Sequence, residues 1–257
     1  MPAALDLEME YYLTSLRAVI FDLGGTLLDW PDWDEDIERR WALSYDYLVA
    51  RYPENNWPLR EEYVRAMRRA EKEHWDRVVT VHTSDQPERL IRDGFHYLGL
   101  PENKRAMQLV LDGYSQAVIG WAEIFPDTVE TLLLLRKRGY RLGLLSNTWW
   151  AGAWHDADLA AHGVTELLDV VAYTSDLPYS KPHPYVFHEV AKRLQVETTA
   201  CVMVGDRMVD DVGGALSVGM RGVWRQNDYP WPKPEHITPS AVITTLSDLP
   251  SILEQWG

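Results

Sequence analysis

Residues 16–23 read LRAVIFDL, an apolar run that ends in an acid, and Gly24-Gly25-Thr26 follows it. Runs of this kind are typical of a strand that is buried on both faces of a parallel sheet. The two glycines predict a tight turn directly after the strand. We therefore expect Asp22 to lie where the first strand of the fold ends.

After this turn the sequence changes character twice. From about Pro31 to Ala122 it is helical, charged and aromatic, with apolar side chains at helical spacing. From residue 128 onward, helix and strand patterns alternate, which is typical of a parallel, doubly wound sheet. In the first block we expect helices over Asp34–Tyr52, Leu59–Val78, Pro87–Leu98 and Asn103–Val118.

The alternating part predicts further elements, several of them bounded by glycine or proline. The segment Asn227–Pro239 contains four prolines and predicts an extended surface loop. The expected strands are Tyr140–Ser146, Leu168–Tyr173, Ala200–Gly205, Arg221–Trp224 and Ala241–Thr244. The expected helices are Thr128–Arg138, a helix that starts over Asp158–His162, Pro184–Leu194, Asp211–Val218 and a last one near Asp248–Gln255.

This order of elements predicts an α/β fold with two domains. Residues 1–29 and 123–257 form a doubly wound, Rossmann-like core with a parallel sheet, and residues 30–122 form an inserted all-α cap. At 257 residues and 46% hydrophobic content, the chain can bury one substantial core and a smaller second module. An insertion placed directly after the first strand is well positioned to cover a site at the end of that strand.

Composition excludes several classes of partner. The net charge of −14 argues against a nucleic-acid surface, which needs Lys and Arg to replace counterions. No apolar run approaches the roughly 20 residues of a membrane span, and Met1–Ser15 lacks the basic flank and apolar stretch of a secretory signal. The single cysteine, Cys201, lies in an apolar run, so we expect no internal disulfide and a cytoplasmic setting.

Twelve tryptophans and thirteen tyrosines are unusually many for this length. They suit amphipathic packing on helices and at a domain seam, and they also suit an aromatic-lined pocket. We favour the packing interpretation for most of them.

Four polar residues stand at or just beyond the ends of predicted strands: Asp22, Ser146, Lys181 and Asp206. Taken singly, each has an ordinary explanation as a helix cap, a turn serine or an exposed loop lysine. Ligands of an open parallel sheet bind at the carboxyl ends of its strands, so their shared location indicates one site.

The acidic loop that contains Asp206, Asp210 and Asp211 favours a cation. Carboxylates crowded together beside Asp22 raise one another's pKa unless a cation joins them. A hard divalent ion with oxygen ligands meets this need, and Mg2+ takes a few carboxylates together with water and substrate phosphate. We therefore expect a magnesium site.

In this order the segments resemble the four motifs of the haloacid dehalogenase superfamily, over nearly the whole chain. Phe125–Gly139 and Ser180–Phe187 are similar to its phosphatase-like branch, and the helical insertion resembles the superfamily's cap. The resemblance implies that Asp22 is a nucleophile that forms an aspartyl-phosphate. Ser146 and Lys181 would then bind and neutralise the phosphoryl oxygens.

The same resemblance implies the remaining site residues. Asp22, Asp206 and the main-chain carbonyl of Gly24 would bind the metal, and Asp211 would bind it directly or through water and orient Lys181. The substrate-binding residues would include Gly25, Thr26 and Asn147. Asp210 is either a further ligand or a helix cap, and His183 is interpreted as a helix-start residue.

The sequence departs from the family pattern at Gly24. Phosphatases of this superfamily usually carry a second aspartate two residues after the nucleophile, as general acid and base. Losing a positioned acid typically costs about 10²–10⁴ in rate, or roughly 3–5 kcal/mol of barrier. We consider three explanations in order: a substrate with a good leaving group, a substitute acid, or lost catalysis with retained metal or ligand binding. The candidate substitute acids are Asp29, Asp32, Asp34 and Glu35.

The sequence thus predicts a magnesium-dependent phosphatase that acts on a small phosphorylated metabolite and is slow or restricted to good leaving groups. One alternative is a catalytically impaired protein of the same fold that binds a metal or ligand. A second is a 2-haloacid dehalogenase, although relatives with that activity carry a tyrosine at the position of Gly24. Phosphonate cleavage needs a reactive cap lysine, and the cap's only lysines, Lys72 and Lys104, lie in charged, surface-like helices.

Overall fold

The computed structural model describes residues 16–31 and 36–256. A six-stranded sheet runs through the described part of the chain, and every neighbouring pair of its strands is parallel. The strands in chain order are β1 (Ala18–Phe21), β2 (Leu28–Asp29), β3 (Glu123–Ile124), β4 (Arg141–Ser146), β5 (Val170–Tyr173), β6 (Cys201–Gly205), β7 (Arg221–Arg225) and β8 (Ala241–Ile243). The large sheet has the order β5-β4-β1-β6-β7-β8. The predicted doubly wound α/β fold is confirmed.

Helices flank this sheet and fill the insertion between β2 and β3. The insertion contains α1 (Ile37–Arg51), α2 (Arg60–Val81), α3 (Pro87–Tyr97) and α4 (Lys104–Val118). The remaining helices are α5 (Thr128–Lys137), α6 (Gly152–Ala161), α7 (Pro184–Leu194), α8 (Gly214–Ser217) and α9 (Leu249–Trp256). None of the described helices is long and apolar enough to cross a membrane.

The central strand β1 is apolar throughout because helices cover both faces of the sheet. Val19 and Phe21 pack into one hydrophobic cluster with Leu132 and Leu135 of α5. Ala18 and Ile20 point to the opposite face, where the second cluster contains side chains of α7. All four β1 residues are fully buried. The LRAVIFDL run therefore has apolar residues at consecutive positions, rather than at alternate ones, because both faces of β1 are buried.

The inserted helices have a hydrophobic cluster of their own, built on residues such as Trp41, Tyr63 and Tyr114. Trp149 and Trp150, which follow β4, also belong to this cluster. The ring of Trp149 stacks parallel to that of Trp41 at a centroid distance of 5.7 Å. Aromatic side chains thus pack where the inserted helices meet the segment after β4, in line with the packing interpretation.

Short backbone pairings lie at the base of the insertion and between the insertion and the loop after β5. Strands β2 and β3 pair antiparallel where the chain enters and leaves the insertion. Farther along, the link between α2 and α3 lies against residues 178–180. There Ser180 N–H donates to the carbonyl of His82 at 2.9 Å, and Ser84 N–H donates to that of Pro178 at 3.3 Å. The insertion is therefore hydrogen-bonded to the residues that directly precede Lys181.

Some predicted bounds differ from the structure. The helix expected to start at Asp158 begins at Gly152. The sequence did not predict this start because the residues around Gly152 have no capping pattern that marks it. The helix expected from Asp211 is replaced by a π-helical turn over Met208–Gly213 and the short α8. The other elements lie close to their expected bounds, except that Asp34 and Glu35 at the start of the first predicted helix are outside the described residues. Residues 1–15 of the predicted core also lie outside them.

Candidate active site

A buried lysine joins two carboxylates at the carboxyl end of the sheet. The Nζ atom of Lys181 donates to Oδ1 of Asp22 and to Oδ1 of Asp211, each at 2.6 Å. The exposed fraction is 1% for Lys181, 6% for Asp22 and 0% for Asp211. These three side chains come from distant parts of the sequence and form one buried ionic group.

The order of the strands explains this convergence. Strands β1 and β6 are neighbours, and Phe21 lies opposite Val204. Asp22 extends the pairing by one bond, since its N–H donates to the carbonyl of Val204 at 2.9 Å. Asp22 and Asp206 therefore leave the sheet side by side. One oxygen from each of Asp22, Asp206 and Asp211 lies within 4.8 Å of the others.

Electrostatics keep Lys181 charged. Burial alone lowers the pKa of its ammonium, but the charges of Asp211 and Asp22 and the hydrogen bonds to them raise this pKa above its ordinary value. A buried charge is tolerated when it is paired and hydrogen-bonded. Lys181 is thus a permanent positive charge beside the Asp22 carboxylate.

The carboxylate of Asp206 has its hydrogen bonds on one oxygen only. Oδ2 accepts from Nδ2 of Asn227 at 2.8 Å and from Nε1 of Trp231 at 3.0 Å. Oδ1 is buried and has no hydrogen-bond partner among the described residues. Burial and then the charge of Asp22 raise the pKa of Asp206 to about 6. A buried oxygen without a donor, beside two other carboxylates, fits a hard divalent cation.

Both carboxylate oxygens of Asp211 accept hydrogen bonds within the site. Its Oδ1 accepts from Lys181, and its Oδ2 accepts from the N–H of Arg207 at 3.0 Å. Burial raises the pKa of Asp211 and the charge of Lys181 opposes this, with the net shift upward. With both oxygens hydrogen-bonded, Asp211 is suited to orient Lys181. Asp210 lies outside the three-carboxylate cluster and pairs with the guanidinium of Arg207 at 3.3 Å.

The motif after β4 also supports Lys181. Ser146 ends β4 and is buried. The side chain of Asn147 donates from Nδ2 to the Lys181 carbonyl at 3.0 Å and accepts from the Lys181 N–H at 2.8 Å. The amide of Asn147 is therefore bonded to the lysine backbone, a contact that the sequence analysis did not anticipate for a predicted substrate-binding residue.

Gly25 and Thr26 lie in the turn after Asp22. The Gly25 N–H donates to the Leu28 carbonyl at 2.9 Å, and the Thr26 N–H donates to the Leu23 carbonyl at 3.2 Å. Gly25 has a φ of 71°, and a Cβ there would come within 2.6 Å of Oδ2 of Asp206. Both the conformation and the close approach require glycine. The role of both residues in substrate binding stays a prediction.

An aromatic ring occupies the place of the missing acid. A Cβ on Gly24 would lie 2.9 Å from Cζ3 of Trp30. The ring of Trp30 in turn contacts Trp150 edge-on at a centroid distance of 5.5 Å and His155 at 5.7 Å. The space beside Gly24 is thus taken by an indole that packs on the segment after β4.

Of the four candidate substitute acids, the structure describes Asp29. Its Oδ1 accepts from the Trp30 N–H at 2.9 Å, and its Oδ2 accepts from the hydroxyl of Tyr229. Both oxygens are thus hydrogen-bonded, which does not favour Asp29 as the acid. The other candidates, Asp32, Asp34 and Glu35, lie outside the described residues.

Two residues that the sequence analysis set aside have structural contacts. His183 is the first residue before α7, and its Nδ1 accepts from the Tyr185 N–H at 3.2 Å, as a helix-start residue does. Lys72 is exposed and pairs with Asp76 at 2.7 Å. Neither belongs to the buried ionic group.

The comparison with known families agrees with this geometry. The haloacid dehalogenase-like hydrolase profile matches residues 16–219, which contain all the site residues described above except Asn227, Tyr229 and Trp231. This chain belongs to the haloacid dehalogenase-like hydrolases.

Individual members of the family are similar over different lengths. A glyceraldehyde 3-phosphate phosphatase of Methanothermobacter thermautotrophicus is 28% identical over 131 residues, which are 51% of this chain and 57% of that protein. The crystal structure of a phosphatase of the family from Thermococcus onnurineus is 28% identical with a TM-score of 0.62, covering 93% of this chain and 98% of that one. A 2-haloacid dehalogenase from Pseudomonas syringae pv. Tomato DC3000 is 29% identical with a TM-score of 0.66, covering 94% of this chain and 100% of that one.

The pKa of Asp206 predicts how the stability of this hydrolase depends on pH. Because its pKa rises from 3.8 to about 6 on folding, the folded protein retains a proton that the unfolded chain has released. The stability due to this proton is present below about pH 4 and lost as the pH rises to about 6. In chelator, this loss amounts to on the order of 2–3 kcal/mol of unfolding free energy, at about 1.4 kcal/mol per pKa unit.

Urea unfolding of the wild-type protein and of Asp206→Asn at pH 4 and pH 7 isolates this loss as the difference between the two proteins, because other titrating groups such as Asp211 contribute to both. We expect Asp206→Asn to lose less stability over the same interval than the wild-type protein, and MgCl2 to reduce the wild-type loss. Equal losses in the two proteins would contradict the assigned pKa.

Proposed function

We propose that this hydrolase is a phosphatase that depends on a divalent cation and acts on a small phosphomonoester through an aspartyl-phosphate on Asp22. The observation that carries the proposal is the pair of 2.6 Å bonds from Lys181 to Asp22 and Asp211, beside an oxygen of Asp206 that has no partner in residues 16–31 and 36–256. A charged lysine and a cation ligand set beside one carboxylate suit the attack of that carboxylate on a dianionic phosphate.

The residues divide the reaction into two displacements. Lys181 holds Oδ1 of Asp22, which leaves Oδ2 to attack phosphorus. The new O–P bond forms as the bond from phosphorus to the leaving oxygen breaks, and that oxygen departs with the electron pair. Water then attacks phosphorus, and the bond to Asp22 breaks, which returns the carboxylate and releases phosphate. Splitting one displacement into two lowers the barrier of each.

Mg2+ is the proposed cation, and Asp22, Asp206 and the carbonyl of Gly24 would hold it. When bound, it supplies positive charge to the phosphoryl oxygens as they approach Asp22. Asp211 holds Lys181 in place through its 2.6 Å bond, and Asn147 fixes the Lys181 backbone. In the proposed site, the hydroxyl of Ser146 would bind an oxygen of the phosphoryl group.

The leaving-group side of the proposed site has no acid at residue 24. The ring of Trp30 lies where a side chain at this position would start. We therefore propose substrates whose leaving group departs without a proton from the enzyme, such as acyl, aryl or anomeric sugar phosphates. The similar glyceraldehyde 3-phosphate phosphatase is named for a small phosphorylated metabolite, which supports a small phosphomonoester here.

Dehalogenation is the second candidate, because a 2-haloacid dehalogenase is among the similar solved structures. That chemistry uses an aspartate nucleophile and needs no metal. Lys181 bonds to two of the three buried carboxylates, and the nearby Arg207 is shared with Asp210. The remaining excess of negative charge favours the phosphatase, because a divalent cation would compensate it. Chloride release from 2-chloropropionate in the presence of chelator would support the dehalogenase instead.

Hydrolysis by the wild-type protein and by Asp22→Asn tests the proposed nucleophile. We expect purified protein to hydrolyse p-nitrophenyl phosphate in MgCl2 and to lose this activity in chelator. Asp22→Asn reduces hydrolysis to the uncatalysed background, because an amide cannot form the covalent intermediate. Asp210→Asn is the matched control, since Asp210 pairs with Arg207 outside the cluster, and it retains most of the activity. Unchanged hydrolysis in Asp22→Asn would refute the mechanism.

Variants at Gly24 and Trp30 test the effect of the missing acid. Gly24→Asp alone brings no gain, because Trp30 fills the space of the new side chain. The double variant Gly24→Asp/Trp30→Ala has room for the acid, so its rate on glyceraldehyde 3-phosphate rises toward the roughly 10²–10⁴-fold that a positioned acid contributes. Its rate on acetyl phosphate changes little, because that leaving group needs no proton.

Initial rates on the two substrates give the comparison, with Trp30→Ala as the control for the loss of the ring. A thermal melt of each variant checks that it is folded. An equal gain on both substrates would show that the new aspartate does not act as a proton donor. The full gain in Gly24→Asp alone would show that the ring does not exclude an acid from this position.

A further inference from the structure

The segment from Asn227 to Trp231 lies on the active site, although its sequence predicts only a surface loop. It follows β7, the strand next to β6, and contacts the first residue after β6. Asn227 and Trp231 donate to the same oxygen of Asp206, at 2.8 and 3.0 Å. Trp224 at the end of β7 donates from Nε1 to the main-chain carbonyl of Asp206 at 2.9 Å.

Both donors are themselves held in place. The guanidinium of Arg207 lies over the ring of Trp231 at 4.0 Å from its centroid. The side-chain oxygen of Asn227 accepts from the Tyr229 N–H at 3.2 Å, and the Tyr229 hydroxyl donates to Asp29. The segment is thus held by a contact with Arg207, the residue after Asp206, and by a hydrogen bond to Asp29.

Gly25 leaves room for this arrangement. A Cβ at residue 25 would lie 2.6 Å from Oδ2 of Asp206 and 3.3 Å from Nδ2 of Asn227. Any side chain there would displace the hydrogen-bonded pair. The turn after Asp22 and the segment after β7 therefore fit together around one carboxylate oxygen.

Two donors on one oxygen restrict the rotation of the carboxylate. Oδ2 is engaged, and Oδ1 is the oxygen left buried without a partner in the described part of the chain. We infer that Asn227 and Trp231 are positioning residues, which fix the Asp206 carboxylate so that Oδ1 is presented to a divalent cation. This inference rests on the cation site of the proposed function. Mutation of a residue that hydrogen-bonds to a metal ligand typically weakens metal affinity by about 10–100-fold.

Two substitutions separate the hydrogen bonds from the surrounding packing. Trp231→Phe keeps an aromatic ring under Arg207 and removes the N–H donor. Asn227→Leu keeps the approximate side-chain volume and removes the amide. Gln226→Leu is the matched control, because it removes an amide from the exposed residue next to Asn227, and that amide does not bond to Asp206.

The readout is the dissociation constant for Mg2+ alone, measured by isothermal titration calorimetry on the full chain. We expect each single variant to bind Mg2+ about 10-fold more weakly and the double variant up to about 100-fold more weakly, the range seen for such partners. Gln226→Leu binds as the wild-type protein does, and Asp206→Ala does not bind. The melting temperature in chelator stays close to wild type for Trp231→Phe, which separates positioning from a general loss of structure.

The outcomes distinguish this inference from the proposed function. Unchanged Mg2+ affinity in Trp231→Phe and in the double variant, with binding intact in the wild-type protein, overturns the inference and leaves the phosphatase proposal standing. Weakened affinity in a protein that hydrolyses no phosphate ester supports the inference and refutes the phosphatase. A wild-type protein that binds no divalent cation refutes both. If Asn227→Leu does not fold, Trp231→Phe alone decides.

Discussion

The ammonium group of Lys181 holds the carboxylates of Asp22 and Asp211 together in a buried site, and the other polar groups are arranged around this bridge. Two unit charges about 4 Å apart interact by roughly 4 kcal/mol at an effective dielectric constant of 20. Removing one member of such a buried group typically costs about 3–5 kcal/mol, because an uncompensated charge is left behind. Asn147 and the backbone pairing of residues 178–180 with the insertion both fix the chain next to Lys181. The position of this one side chain thus links the sheet, the inserted helices and the proposed nucleophile.

The charge balance of the site connects its structure to its proposed chemistry. Lys181 bonds to two of three carboxylates that each place one oxygen within 4.8 Å of the others, and Arg207, which pairs with Asp210, adds a second positive charge nearby. Oδ1 of Asp206 has no hydrogen-bond donor among the described residues, and a cation there would add to this balance. The ring of Trp30 takes up the space beside Gly24. For the proposed phosphatase, these charges would support a phosphoryl group and the indole would stand in place of an acid, a combination that suits leaving groups needing no proton.

Sequence patterns predicted the parts of this protein that follow from periodicity and strand order. The apolar run before Asp22 predicted the central strand, and the rule that parallel strands end together predicted that Asp22, Ser146 and Asp206 lie at one edge. Lys181 stands well beyond the end of β5 at Tyr173, so its bond to Asp22 followed from the family resemblance rather than from this rule. Contacts between loops were not predictable in this way. The pairing of β2 with β3 involves two residues on each strand, too few to show a period, and the start of α6 at Gly152 carries no capping signal. The ring of Trp30 against Gly24, and the donors of Asn227 and Trp231 on Asp206, depend on how loops pack in three dimensions. The tryptophan and asparagine in an otherwise proline-rich segment were the available signal for the latter.

Trapping of the phosphoryl-enzyme analogue at Asp22 tests the central claim most directly. Beryllofluoride mimics a phosphoryl group bonded to a carboxylate, and its bound fluorines give resonances in ¹⁹F NMR that are distinct from those of the free complexes. With Mg2+ present, we expect bound resonances from the wild-type protein and none from Asp22→Asn. Absence of these resonances in folded wild-type protein, or their persistence in Asp22→Asn, would contradict the assignment of Asp22 as a nucleophile that acts beside Lys181 and a cation.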